Sequence, residues 1–168
     1  MEDLTDAMGK LGDGGTRDID DIISDDELFK QPPPKEDCPI CLLRLPRLGS
    51  VYKSCCGKMI CRGCRRAPVY DNLGNEIIEE KCPFCRTPMN ISDEEYNERL
   101  QKRVEVDDTV AILMLGNFYR RGGDDFPQDY DKAFDLFAWA GDLGHADAYN
   151  NIGHAYDFGN GVEMDKQK

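Results

Sequence analysis

Apolar positions change their spacing twice along the chain, and the changes divide it. Up to about Lys35 they are sparse: Ile19, Ile22, Ile23, Leu28 and Phe29 are interleaved with Asp18, Asp20, Asp21, Asp25, Asp26 and Glu27, and Pro32-Pro33-Pro34 closes the stretch. Too little apolar surface is available there to offset chain entropy, so residues 1–35 are expected to be a disordered acidic tail. From Glu36 to Met89 short apolar groups are interrupted every few residues by cysteine, proline or glycine. Beyond Asp107 apolar residues recur at i, i+4 and i+8, the spacing of helices with one buried face.

A helix is expected to join the last two segments, over residues 90–106. Ser92-Asp93-Glu94-Glu95 has the form of a capping box, with Ser at the N-cap, Glu three residues on, and Arg99, Lys102 and Arg103 towards the far end. Residues 107–168 then repeat themselves. Ala111, Leu115, Gly116, Tyr119 and Gly122 fall over Ala148, Ile152, Gly153, Tyr156 and Gly159 at an offset of 37, and Asp129 and Lys132 over Asp165 and Lys168 at 36. This period is the signature of an all-α solenoid of stacked helix pairs. The motif Ala-x3-Leu-Gly-x2-Tyr-x2-Gly, followed by Asp-x2-Lys-Ala-x2-Leu-Phe-x2-Ala, is similar to the Sel-1-like repeat, with Gly159-Asn160-Gly161-Val162 at the inter-helix turn. Only about one and a half repeats are present where roughly three are needed to cover one another. The expectation is therefore a piece of a longer solenoid protein, or a cap of another kind over Tyr149 to Phe158.

A length of 168 residues suits two small modules and a tail. The net charge of −12 argues against general binding to nucleic acid or anionic membranes, since phosphate repels a chain of this sign. No run of about 18 apolar residues occurs, and Met1 to Gly15 is acidic and Gly-rich. Neither a signal peptide nor a membrane span is expected, and a cytoplasmic or nuclear location follows.

The chemistry lies in eight cysteines, all between Cys38 and Cys85. They read Cys38-x2-Cys41, thirteen residues, Cys55-Cys56, four residues, Cys61-x2-Cys64, seventeen residues, Cys82-x2-Cys85. In a reducing compartment such spacing indicates metal rather than disulfides. A Cys-x2-Cys turn sets two sulfurs on one side of a knuckle, and structural zinc takes four ligands, so eight thiolates match two Zn²⁺ ions. His145 and His154 lie far off in the repeats and are expected to be surface or packing residues.

The paired ligands and the terminal Cys82-Pro83-Phe84-Cys85-Arg86 resemble a RING finger. The resemblance implies a small α+β cross-brace over residues 36–89, with Cys38, Cys41, Cys61 and Cys64 on one zinc ion and Cys55, Cys56, Cys82 and Cys85 on the other. Lys58 stands where common members have histidine, and a protonated lysine is a poor ligand. The chain thus resembles the all-cysteine variety, provided that Gly57 allows the sharp turn adjacent ligands need. The alternative leaves Cys55 a spare thiol. Histone-reading PHD fingers and FYVE fingers fit less well, for want of their characteristic histidines.

RING ligases bind a ubiquitin-charged conjugating enzyme and hold the conjugate for attack by a substrate lysine, gaining rate through orientation. Ile40 and Pro83 match the family's apolar contacts with that enzyme. Arg86 matches the basic residue that bridges enzyme and ubiquitin, a task suited to a guanidinium fork. The third apolar contact, near Pro68 to Tyr70, stays unassigned. The resemblance implies a ubiquitin ligase whose helical repeats bind a substrate or adaptor; the alternative is a zinc-binding scaffold without enzymatic activity. Two charged features stand apart from it. The stretch Leu42–Tyr70 holds Arg44, Arg47, Lys53, Lys58, Arg62, Arg65 and Arg66 and no acid, which reads either as compensation of the thiolates or as a docking face for acidic protein or RNA. The absence of interleaved aromatics favours compensation. The acidic tail, with an acidophilic kinase site at Ser24, reads as a solubilising segment or as one that folds on a partner.

Overall fold

Turns that close their own hydrogen bonds hold a chain in shape with little core, and the first half of this protein is built largely of them. The computed structural model describes residues 36–46, 49–77, 80–123 and 125–163. The acidic tail with Ser24, Arg47, and the repeat positions Asp165 and Lys168 lie outside the described residues. The chain divides into two compact units, one reaching to Leu100 and one running from Gln101 onward.

The first unit is a small mixed α/β region. Strands β1 (Val51–Lys53) and β2 (Lys58–Ile60) pair antiparallel, with Val51 opposite Ile60. Helix α1 (Arg62–Arg66) follows directly, and β3 (Val69–Tyr70) pairs antiparallel with β4 (Glu76–Ile77). The β3–β4 turn is organised by Asp71, whose Oδ1 accepts the backbone N–H groups of Leu73 and Asn75, both at 2.8 Å. Hydrogen bonds from the Asn75 side chain and backbone, and from the Leu73 and Gly74 N–H groups, hold this exposed carboxyl below its ordinary pKa. Cysteines apart, Ile60 and Leu100 are the only fully buried apolar side chains among the unit's described residues.

Helix α2 (Asp93–Val104) begins at the expected cap, with Ser92 Oγ accepting the Glu95 N–H at 3.2 Å. The reciprocal half differs from the sequence expectation: the carboxylate that hydrogen-bonds Ser92 is that of Glu94, not that of Glu95. Glu95 is drawn instead into an i,i+4 pair with Arg99 at 2.6 Å, and Arg99 also donates to Pro88 O at 2.9 Å. The division between the units falls inside α2.

The second unit is helical: α3 (Thr109–Arg121), α4 (Tyr130–Asp142) and α5 (Ala146–Phe158). Asp108 caps α3 through Ala111 N and takes both Nε and Nη2 of Arg103, at 3.0 and 2.8 Å. Asp129 caps α4 through Lys132 N at 3.0 Å. The bounds of α3 and α5 keep the 37-residue offset at both ends, and Ala111, Leu115 and Tyr119 are buried like their counterparts Ala148, Ile152 and Tyr156. Helix α4 packs between the other two. Phe137, fully buried, lies on the glycine face of α3, where a Cβ on Gly116 would stand 2.7 Å from its ring. Gly153, the counterpart on α5, has nothing within 4 Å. No helix among the described residues is long and apolar enough to cross a membrane.

Candidate metal centre

The two outer cysteine pairs stand on matching scaffolds. In the first, Leu42 N donates to Cys38 O, Cys38 N to Leu43 O and Leu45 N to Glu36 O; in the second, 44 residues on, Arg86 N donates to Cys82 O, Cys82 N to Thr87 O and Met89 N to Glu80 O. Each knuckle closes on one antiparallel bridge, Asp37 to Arg44 and Lys81 to Pro88. The reversal needed after the second cysteine puts Leu42 and Arg86 in the left-handed region, at φ 59° and 63°. Pro39 and Pro83 occupy equivalent places, where a fixed φ and a missing N–H suit the start of the turn. This internal duplication was visible in the repeated Cys-Pro-x-Cys and went unread at the sequence level.

The inner pairs use other devices. Cys55 and Cys56 sit in the β1–β2 turn, where Lys53 O accepts both Cys56 N and Gly57 N, at 3.1 and 2.8 Å. Gly57 takes φ 67°, the turn that adjacent cysteines require. Cys61 is the N-cap of α1, and its Sγ accepts the Cys64 N–H at 3.3 Å.

These four devices bring the first pair to the third and the second to the fourth. Cys38, Cys41, Cys61 and Cys64 form one group, Cys55, Cys56, Cys82 and Cys85 the other, and within each the sulfurs all lie within 4.8 Å of one another. None is in a disulfide. Four thiolates at ~2.3 Å around a tetrahedral ion would stand ~3.8 Å apart. Cys41 Sγ to Cys61 Sγ is 3.8 Å and Cys55 Sγ to Cys85 Sγ is 3.4 Å. Each group could therefore hold one metal ion, and the all-sulfur donor set selects a thiophilic one such as zinc or iron. Lys58 lies on β2 with its side chain exposed, outside both groups. Of the histidines, His145 takes the N-cap position of α5 and the exposed His154 stacks on Phe158 at 4.4 Å.

The electrostatics of the groups ask for a cation. Burial would raise the Cys38 thiol, but hydrogen bonds from the backbone at Cys61, Cys41 and Ile40 and from the Cys41 side chain outweigh it and hold it at about 6. Cys85 is held at about 6 in the same way, against burial, by the Thr87 hydroxyl and N–H and by Cys55 and Cys82. With one thiolate so favoured, the neighbours suffer. Burial and the adjoining sulfurs of Cys41, Cys61 and Cys38 push Cys64 up to about 12, and burial with the sulfurs of Cys85, Cys82 and Cys56 drives Cys55 upward. A dication at the centre removes that repulsion and lets all four sulfurs ionise. If Cys55 is a ligand, Cys55→Ala takes the metal content from two ions per chain to one; a spare thiol would leave two, by elemental analysis.

Around the knuckles the candidate contact residues stand at the surface. Ile40 is 39% exposed, Pro83 is half-buried and Arg86 is exposed. Two apolar neighbours not singled out from the sequence join them: Leu42, 76% exposed beside Ile40, and Phe84, 43% exposed, the counterpart of Ile40 in the second knuckle. The segment Pro68 to Tyr70 leads into the β3–β4 hairpin and presents Tyr70 to solvent. Compared with protein-family models, curated proteins and solved structures, the chain matches none.

Proposed function

We propose that the cysteine unit is an all-cysteine RING domain holding two zinc ions, and that the chain promotes transfer of ubiquitin from a charged conjugating enzyme to a substrate lysine. The interleaved grouping of the eight sulfurs, first pair with third and second with fourth, is the observation that carries this reading. Zinc so ligated supplies structure and no open position for chemistry. The chain's residues act by binding. Ile40 and Pro83 offer apolar contact to the conjugating enzyme, and Arg86 donates to carbonyls on that enzyme and on ubiquitin. Held in one arrangement, the thioester is attacked by the lysine amine; an isopeptide bond forms and the enzyme's cysteine leaves as a thiol. Helices α3 to α5, read as Sel-1-like repeats, would bind the substrate or an adaptor.

Arg86→Ala tests this directly. Both residues pay the same backbone strain at φ 63°, so the knuckle and its metal content should be unchanged. Loss of hydrogen bonds worth about 1.5–3 kcal/mol predicts discharge of ubiquitin to free lysine slowed by roughly 10- to 100-fold. Equal discharge by both proteins sinks the role of Arg86. Absence of discharge by the wild type with every conjugating enzyme tried leaves the scaffold reading in its place.

A further inference from the structure

Arg62, Arg65 and Arg66 sit at i, i+3 and i+4 on α1, which at about 100° per residue places them on one face. Cys64 falls on the opposite side of that turn, with its sulfur in the metal group. These arginines are exposed, and an exposed guanidinium finds its hydrogen bonds in water. Arg120, near the end of α3, stands differently. It is half-buried, its Nε is closed off from solvent, and that N–H has no hydrogen-bond partner. One donor of the fork is used, Nη2 to Asn117 Oδ1 at 3.0 Å. Between Gln101 and Glu163 the sequence holds twelve acids against five bases, yet none of the described acids pairs with Arg120. A buried donor left without an acceptor is destabilising, and folded chains keep few of them.

Arg120 borders a hollow of about 220 Å³, its open mouth included, ringed by Tyr130, Phe134, Asn151, Ala155 and Asn160. Sites for cofactors and drug-sized ligands run to about 300–1,000 Å³, so this one suits a single side chain. Phe134 and Ala155, both buried, make an apolar wall, and the amides of Asn151 and Asn160 can donate or accept. A glutamate matches that lining, with its methylenes on the wall and its carboxylate on the guanidinium fork, which takes carboxylates bidentately. Nε is reached when the flexible arginine side chain turns towards the hollow. A free chain end brings its carboxylate with backbone and a side chain attached, and is too bulky for the space. Twelve acids against five bases, an excess of seven, also repel any run of acids, so the glutamate must stand alone in its segment. We propose that the hollow between α3, α4 and α5 binds one glutamate side chain of a partner protein, presented on an otherwise neutral or basic segment, with Arg120 holding its carboxylate. The proposal rests on the reading of these helices as a protein-binding arm and names the contact through which the arm binds.

The test uses the full chain, labelled with ¹⁵N and kept in zinc. No conjugating enzyme is present, so failure here leaves the ubiquitin reading standing, and failure of ubiquitin discharge leaves this site standing. The probe is a capped pentapeptide of alanines with a glutamate at its centre. Titration should shift the Arg120 Nε signal and the side-chain amide signals of Asn151 and Asn160 to saturation, with the α1 signals unmoved. Glutamine in place of the glutamate should weaken binding by about tenfold or more, because hydrogen bonds between charged groups are the strong ones. Arg120→Gln should weaken binding of the glutamate peptide by a similar factor while the α4 signals keep their dispersion. A glutamine peptide that binds wild type as well as the glutamate peptide does overturns the proposal, and this comparison needs no variant to fold. So does an Arg120 signal that a large excess of peptide leaves in place. An uncapped peptide of alanines alone that binds the same residues more tightly would make the hollow a site for chain ends and overturns the glutamate assignment.

Discussion

Removing the metal with a chelator should unfold the cysteine unit and leave α3 to α5 helical. Among its described residues only Ile60 and Leu100 are fully buried apolar side chains besides cysteine, a core far too small to offset the entropy of ordering some sixty residues at ~1.5 kcal/mol each. On the proposed zinc reading the missing free energy comes from metal coordination, which in small structural zinc sites is worth about 10–16 kcal/mol at neutral pH. Without the ion, four crowded sulfurs in each group also resist joint ionisation. Amide signals from Val51 to Met89 should therefore collapse to the random-coil range in chelator, while the helical ellipticity at 222 nm largely persists. Retained dispersion of those signals would show that the knuckles stand without metal. Acid works in the same direction. In the metal-free, unfolded chain the four thiols of each site lie at the ordinary cysteine value of about 8.5, so each sheds a proton on binding at neutral pH. Log affinity should fall by about four per site for each pH unit lost below about 8, in chelator-competition titrations.

Truncating Phe137 should have the largest effect on the helical unit. Its ring is fully buried against the Gly116 face of α3, and removing it leaves a cavity that packed helices only partly close. Phe→Ala at such a site costs about 3–5 kcal/mol. A unit of this length holds only about 3–9 kcal/mol in all, so much of the population should unfold at room temperature. Glycine substitutions give the sharper control. An Ala Cβ at position 116 would stand 2.7 and 2.9 Å from the Phe137 ring, with Leu136 Cβ at 3.3 Å, and overpacking of this kind costs about 1–3 kcal/mol. At position 153 nothing lies within 4 Å, so Gly153→Ala should stabilise by about 0.5–1 kcal/mol through helix propensity. Thermal melts followed at 222 nm should move down for Gly116→Ala and up for Gly153→Ala. Movement of both in one direction would mean that the two repeats are packed alike.

The opposite signs expected at two glycines of one motif show where the sequence stops informing. Their equivalence follows from the 37-residue offset, but whether a ring covers a glycine depends on which helix is packed there. The capping box makes the same point at smaller scale. Ser92 capped α2 as its local chemistry requires, yet Glu95 was taken by Arg99, which is itself held by Pro88 O. For the basic stretch, composition favoured compensation of thiolates, and the turn of α1 places three of the arginines away from them.

By itself, the sequence determined what depends on near neighbours. The number and kind of sulfur donors, the caps at Asp108 and Asp129, the period of the helices and the need for glycine after Cys56 all arise from interactions within a few residues. Tertiary structure decided what depends on distant chain meeting distant chain. It joined Cys38 and Cys41 to Cys61 and Cys64 across the β1–β2 hairpin, and Cys55 and Cys56 to a second knuckle built like the first. It turned Arg62, Arg65 and Arg66 outward and seated Phe137 on one glycine of a pair. The physical reason is common to all of these: sequence spacing limits how far apart two groups can be, and packing alone selects which of the reachable partners they meet.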